Sequence, residues 1–274
     1  MCPQCRAFIS SADRVCPYCE TELAAAPPPI RRQSGGGVSL PSWLPQAHST
    51  TFILMLMNVG LFAASMLYAG PESFGMGFDG NVLTLLGAMR FELIQFRGEW
   101  WRLITAGFLH GSLIHIGMNM MGLYQLGNEV EGVYQTHRYV VIYIVSTITG
   151  FYASFLSGNI LSVGASAGIF GLLGALIAHG VMQRSTLGQE IKQYYTRMAV
   201  YSLMLGVFMS QSVGGRTDNA AHIGGLAGGF AVAYLAGMPS LFDNWKERFW
   251  TGACWFAIAL VVLSYLIWAR NYVL

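Results

Sequence analysis

Charge is what this chain has least of. Only 10% of its 274 residues are Asp, Glu, Lys or Arg and 54% are hydrophobic, whereas an ordinary soluble domain is about a quarter charged. So much apolar surface excludes a single soluble core. The scarcity is also uneven: residues 139–183 contain no charged side chain. A bilayer span needs about 20 mostly apolar residues, so this stretch has room for two, with Ser157-Gly158-Asn159 as the turn between them. Further charge-free windows cover residues 51–70, 111–128, 198–215, 219–242 and 249–269. The pattern predicts seven transmembrane helices. An early apolar run with a cleavage pattern is missing too, which argues against a secretory signal peptide. No repeat of fixed period is visible.

The formal net charge of +2 says little about partners, and no nucleic-acid ligand is expected. Its distribution is more useful, because cytoplasmic loops carry most Lys and Arg. With the N-terminus inside, Arg6, Arg14, Arg31, Arg32, Arg138, Arg184, Lys192, Arg197, Lys246 and Arg248 face the cytoplasm. Arg90, Arg97, Arg102, Arg216 and Arg270 are left outside. This bias predicts a cytoplasmic N-terminus, an external C-terminus and residence in the cell (inner) membrane.

Cysteine is scarce as well, but four of the five are paired in motifs: Cys2-Pro-Gln-Cys5 and Cys16-Pro-Tyr-Cys19. Each knuckle turns two thiolates toward one point, and four sulfurs close a tetrahedral structural zinc site. The spacing between the knuckles is shorter than in the usual ribbon, and a redox pair is the alternative. Reducing conditions in the cytoplasm favour the metal reading. Residues 1–23 are thus expected to form a zinc-ribbon-like module. Residues 24–50, with Pro27-Pro28-Pro29 and Gly35-Gly36-Gly37, read as a flexible linker. Residues 51–238 hold the six-helix core, and residues 239–274 a cytoplasmic loop and the seventh helix. Cys254, in that last span, is expected only to pack.

Polar groups inside spans are expensive and are functional candidates by default. Two glycine-lined constellations qualify: Gly164-Ala165-Ser166-Ala167-Gly168, and Ala221-His222-Ile223-Gly224-Gly225 followed by Gly228 and Gly229. A G-x-S-x-G motif also marks the strand-to-helix elbow of soluble hydrolases, but the flanks here are apolar at every phase. Small residues alone equally serve close helix packing in membranes. The pairing of Ser166 with His222 changes the balance, since glycine faces would let Oγ and Nε2 approach to hydrogen-bond distance. A third cluster comprises Trp101-Arg102, His110, His115 and Asn119. His115 and Asn119 are four apart, so their N–H donors share one helix face, where they can stabilise an oxyanion. His110 and His115 would make a poor metal pair, being five apart with no carboxylate near. Arg102 has a bland reading as an interfacial side chain reaching headgroups. Asp218 is expected in an exposed loop, and His48, His137 and His179 carry no partner pattern.

In combination these residues resemble the rhomboid family of intramembrane serine proteases over residues 51–235. The signals are Trp101-Arg102 in the first loop, His110-x4-His115-x3-Asn119 in the second helix, G-x-S-x-G at Gly164 to Gly168, and Ala221-His222-x-Gly224-Gly225. The resemblance implies an all-α membrane fold with a six-helix core, a seventh helix as an extension, and the zinc-knuckle module in front. It implies Ser166 as nucleophile and His222 as base of a dyad that needs no third member and no cofactor. His115, Asn119 and the Ser166 amide would form the oxyanion hole. His110 would be structural, Trp101 and Arg102 would hold a membrane-embedded loop, and Glu131 would tie the second helix to that framework. Phe170 would pack on the base where a tyrosine is frequent, and Gly164, Gly168, Gly225 and Gly229 would line the contact. Substrates would be single-span membrane proteins in the lipid bilayer, cut near the outer face. The rival readings are an inactive scaffold that recruits a cytoplasmic partner through the zinc module, and a transporter. A transporter should show paired halves or intramembrane carboxylates, and neither is present.

Overall fold

A computed structural model describes residues 2, 4–5, 15–16, 18–22, 49–70, 77–212, 217–239 and 244–274. Most of the linker, His48 and Arg216 therefore lie outside the described residues. The chain divides into two compact units, Met1–Gln46 and Ala47–Leu274.

In the larger unit, helix α1 spans Ser49–Ala69, beginning within the last two residues expected of the linker. A loop region follows with α2 (Gly80–Leu86), β1 (Met89–Arg90), α3 (Phe91–Arg97), α4 (Arg102–Thr105) and a 3-10 turn (Ala106–Phe108). Then come α5 (Leu113–Leu156), β2 (Leu161–Ser162), α6 (Ser166–Met182), α7 (Thr186–Ser212), α8 (Asn219–Ala236) and α9 (Asn244–Tyr272). Among the described residues of this unit the fold is all-α apart from the antiparallel pair β1–β2, with Met89 opposite Ser162 and Arg90 opposite Leu161.

Unbroken, the 44 residues of α5 would reach about 66 Å at 1.5 Å per residue, twice the roughly 30 Å of a bilayer core. The break is at Gln135, with φ 60° and ψ 169°. It splits α5 into residues 113–134 and 136–156, which gives the described residues the seven rods expected of a six-helix core plus one. By length and apolarity alone, Ser49–Ala69, Leu113–Leu156 and Trp245–Tyr272 can each cross a membrane. Helix α6 has only 17 residues, about 26 Å. If its far end reaches one interface, its first residue lies below the other.

That short helix is the centre of the unit. Of its side chains nearly all are buried, from Ala167 to Gly180, against α8 and the second half of α5. The approach is set by backbone rather than side chains. A Cβ on Gly225 would strike the carbonyl of Ala167, one on Gly229 the backbone of Gly171, and one on Gly174 the carbonyl of Leu226. At Gly150 of α5 a Cβ would lie 2.7 Å from both the Ala167 Cβ and the Ala221 carbonyl, so three helices meet there. Such contacts maximise dispersion where the lipid gives no hydrophobic drive.

The polar residues of the framework settle into places the sequence did not indicate. Glu131 caps α1: its carboxylate accepts the N–H groups of Thr50 and Thr51, each at 3.0 Å, and the Thr51 hydroxyl at 2.9 Å. These N–H groups are orphans of a first helical turn, so Glu131 ties the second helix to the first and not to the loop. Arg102 is fully buried, which removes its reading as an interfacial side chain. Arg138 and Glu247 form a two-pronged ion pair of 2.7 and 2.9 Å that holds one end of α9. Cys254 packs in the core, as expected.

Candidate active site

Gly164 turns the chain into α6 at φ +130°, and its lack of a Cβ is required twice. That φ suits glycine alone, and a Cβ would sit 2.7 Å from His115 Nε2. Its N–H donates to the Ala106 carbonyl at 3.0 Å, which fastens the entry to α6 onto the loop. Ser166 is thereby the first residue of α6. Its own N–H belongs to the first turn, without a partner inside the helix, at the positive end of the helix dipole.

His222 lies in the first turn of α8, which starts at Asn219. Ser166 Oγ and His222 Nε2 are 2.9 Å apart. On its other side, His222 Nδ1 is 3.3 Å from Asn219 Oδ1, while Asn219 Nδ2 donates to the Leu203 carbonyl at 3.3 Å. The second bond sets which way the amide faces. The amide oxygen then accepts a hydrogen bond from Nδ1–H, leaving Nε2 as an acceptor for the serine hydroxyl. Phe170 stacks on the imidazole at 4.2 Å with planes 9° apart, so the ring is clamped between an aromatic face and a polar tether. The carboxylate of Asp218 is not in an exposed loop. It caps α8 through the Ala221 N–H at 2.9 Å, accepts from Asn159 at 2.8 Å, and bonds the Ser154 hydroxyl.

His115 opens the first half of α5. Gly111 N–H donates to its Nδ1 at 3.4 Å, which leaves the proton on Nε2, the atom lying against Gly164. Asn119 is buried one turn on, and its Nδ2 donates to the His115 carbonyl at 3.1 Å. One N–H of the amide remains for another acceptor. His110 is buried before the helix begins. Its Nε2 faces the Ala165 N–H at 3.5 Å and its ring meets His115 edge-on at 5.1 Å. Ser166, the imidazole acceptor of His222 and Nε2 of His115 thus lie together beside Gly164, with the amide of Asn119 one helical turn on from His115. The chemistry this supports is addition of a hydroxyl to a carbonyl, with the resulting oxyanion held by the donors.

The family model of the rhomboid domain matches residues 97–239. The chain belongs to the rhomboid family. It is 35% identical over 78% of its length to the rhomboid protease GluP of Bacillus subtilis, covering 40% of that protein. To the Rhomboid-like protease 2 of Toxoplasma gondii it is 30% identical, over 80% of this chain and 78% of that protein. To the RHOMBOID-like protein 5 of Arabidopsis thaliana it is 34% identical, over 60% and 52%. The rhomboid chain thus spans about half or less of two of these relatives.

Trp101 and Arg102 build the floor of the loop region. Arg102 donates to Glu99 at 2.6 Å, to the carbonyls of Thr84 and Ala88 at 2.7 and 2.9 Å, and to the Tyr272 hydroxyl at 2.8 Å. Its guanidinium also lies 4.5 Å from the Trp101 ring centroid. Of the residues around the histidine, Asn219 was not singled out by sequence and Asp218 was expected only in a loop; Glu99, the partner of Arg102, was not singled out either. An amide three residues before a helical histidine shares its face, and that spacing was the available signal for Asn219.

In the smaller unit the four sulfurs of Cys2, Cys5, Cys16 and Cys19 lie within 4.8 Å of one another. The pairs Cys2–Cys19 and Cys5–Cys16 are both 3.6 Å apart. Four thiolates around zinc at 2.3 Å would stand about 3.8 Å apart, and a disulfide about 2 Å, so the donor set fits the metal. The Thr21 hydroxyl and N–H beside its sulfur lower the Cys19 pKa to about 6, and the Cys5 N–H lowers that of Cys2. Among the described residues this is the one cluster of three or more metal-ligating side chains.

Proposed function

We propose that the chain is an intramembrane serine endopeptidase that cleaves single-span membrane proteins near the outer membrane face. The observation that carries this reading is the 2.9 Å contact of Ser166 Oγ with an imidazole nitrogen oriented as an acceptor, at the start of a buried helix in a rhomboid chain. His222 takes the hydroxyl proton as Oγ adds to the substrate carbonyl. The oxyanion is held by His115 Nε2–H, the free N–H of Asn119 and the Ser166 N–H. His222 then gives the proton to the leaving amine, and water, activated by the same imidazole, hydrolyses the acyl-enzyme. Treatment of the detergent-solubilised protein with a fluorophosphonate tests the reading. Covalent labelling that maps to Ser166 supports it; an intact, folded, unlabelled protein sinks it in favour of the inactive scaffold.

The two side-chain donors are expected to differ. His115 Nε2 is directed at the reacting space, whereas Asn119 already spends one N–H on a carbonyl. Loss of an oxyanion donor costs about 10²–10³ in rate. His115→Ala is expected at the upper end of that range and Asn119→Ala at the lower, both in kcat with KM little changed. A raised KM with unchanged kcat would make either residue a substrate contact instead.

The N-terminus is proposed to be cytoplasmic, on the Lys and Arg distribution, which leaves Ser166 and the end of α9 toward the outside. Cys2, Cys5, Cys16 and Cys19 would then hold one structural zinc on the cytoplasmic side, which would fold a segment too short to fold unaided. Removing residues 1–35 is expected to abolish bound zinc, measured by metal analysis, without loss of activity on a transmembrane substrate in detergent. Protons compete with the metal for thiolates. The Thr21 hydroxyl and N–H beside the Cys19 sulfur favour its thiolate, so zinc is expected to stay bound at pH 7 and to be released on acidification.

A further inference from the structure

The last turn of the seventh helix reaches into the loop region, and nothing in the proposed chemistry uses it. Tyr272 is the final residue of α9. Its hydroxyl lies 3.0 and 2.9 Å from the two oxygens of Glu99 and accepts from Arg102 at 2.8 Å. The ring packs edge-on against Trp101 at 6.0 Å. One turn earlier, Trp268 Nε1 donates to the Leu85 carbonyl at 2.8 Å.

These bonds converge on one small piece of backbone. The C-terminal carbonyls of α2, and those of Gly87 and Ala88 just beyond it, have no partners within that helix. Here Thr84 and Ala88 are taken by Arg102, Leu85 by Trp268, and Gly87 by the Thr105 hydroxyl at 2.6 Å. The piece so held runs directly into β1, whose partner β2 ends four residues before Ser166. Phe91 N–H adds a bond to the Ile160 carbonyl at 3.1 Å, and Gly164 one to Ala106 at 3.0 Å. The backbone entering α6 is therefore seated on the loop, and the loop is seated on α9.

We propose that Tyr272 is a positioning residue for Ser166: its hydroxyl, bridging Glu99 and Arg102, fixes the loop on which the segment entering the nucleophile's helix rests. This rests on the reading of Ser166 as nucleophile. Glu99 and Arg102 are both buried, so their charges hold one arrangement only while every lone pair and proton has a partner. Removing the hydroxyl leaves Glu99 with one donor fewer and an N–H of Arg102 unpaired, and the network rearranges. A displacement of 1 Å at a reacting group can cost about 10² in rate, and a partial displacement passed through a strand pair is expected to cost about tenfold.

Tyr272→Phe keeps the ring against Trp101 and removes only the hydroxyl. In the full chain, its rate of fluorophosphonate labelling at Ser166 and its kcat are both expected to fall about tenfold, with KM unchanged. Both are measured well below the melting temperature, where a merely structural role would leave them at the wild-type value. Should that variant not fold, Trp268→Phe releases the Leu85 carbonyl alone and carries the same expectation. Labelling and kcat within twofold of wild type would overturn the proposal. A wild-type protein that is not labelled at all would instead overturn the reading of Ser166, so the two failures are distinct.

Discussion

Ser166→Ala and His222→Ala are each expected to lower cleavage of a transmembrane substrate by about 10⁴- to 10⁶-fold, and the double variant by no more than the worse single. The reason is geometric. The hydroxyl is a weak nucleophile until the imidazole accepts its proton, and the two atoms share one 2.9 Å contact. Removing either partner removes the same step. On the proposed mechanism, what survives is catalysis by the donors of His115, Asn119 and the Ser166 amide, which would act on the oxyanion of any nucleophile, including water. The measurement is turnover of a purified substrate by both single variants and the double, with circular dichroism to show that each remains helical. A double variant slower than the singles by the product of their effects would mean that Ser166 and His222 act in separate steps. Wild-type turnover by Ser166→Ala would remove it from the chemistry.

How much of this was legible follows from the range over which each signal acts. The helices were readable because a bilayer span is a local property, an absence of charge over some 20 residues. Even the break at Gln135 falls between two charge-free windows, among Glu129, Glu131 and Arg138. Ser166 and His222 were readable for the same reason: a polar side chain among apolar ones is costly and needs a purpose. The partners of the framework residues were not readable. Glu131 finds Thr51 at a separation of 80 residues, and Arg102 finds Tyr272 at 170; no local pattern marks either pair. Asp218 was misplaced because a carboxylate at a helix start reads as solvated unless its far partners, Ser154 and Asn159, are known. Asn219 was overlooked although its offset from His222 was in plain view, since a dyad makes no demand for a third residue.

Gly229→Val is expected to disable the protein as thoroughly as loss of the dyad, by a different route. Gly229 lies two turns beyond His222 on α8, and an added Cβ would overlap the backbone of Gly171. A clash with a flexible side chain is relieved by a new rotamer, but backbone in the middle of a buried helix has none to adopt. Overpacking of a tight core costs about 1–3 kcal/mol when neighbours can shift and more when they cannot. The escape left is for α8 to move away from α6. That movement lengthens the contact between Ser166 and His222, where each ångström can cost about 10² in rate. Both a lower melting temperature and a fall in kcat of at least about 100-fold are expected. The control is Gly252→Val on α9, where a Cβ meets nothing within 4 Å and the same added bulk should leave both quantities unchanged. Wild-type activity and stability in Gly229→Val would mean that glycine at this position does not set the helix approach, and the account of how Ser166 and His222 are brought together would fail with it.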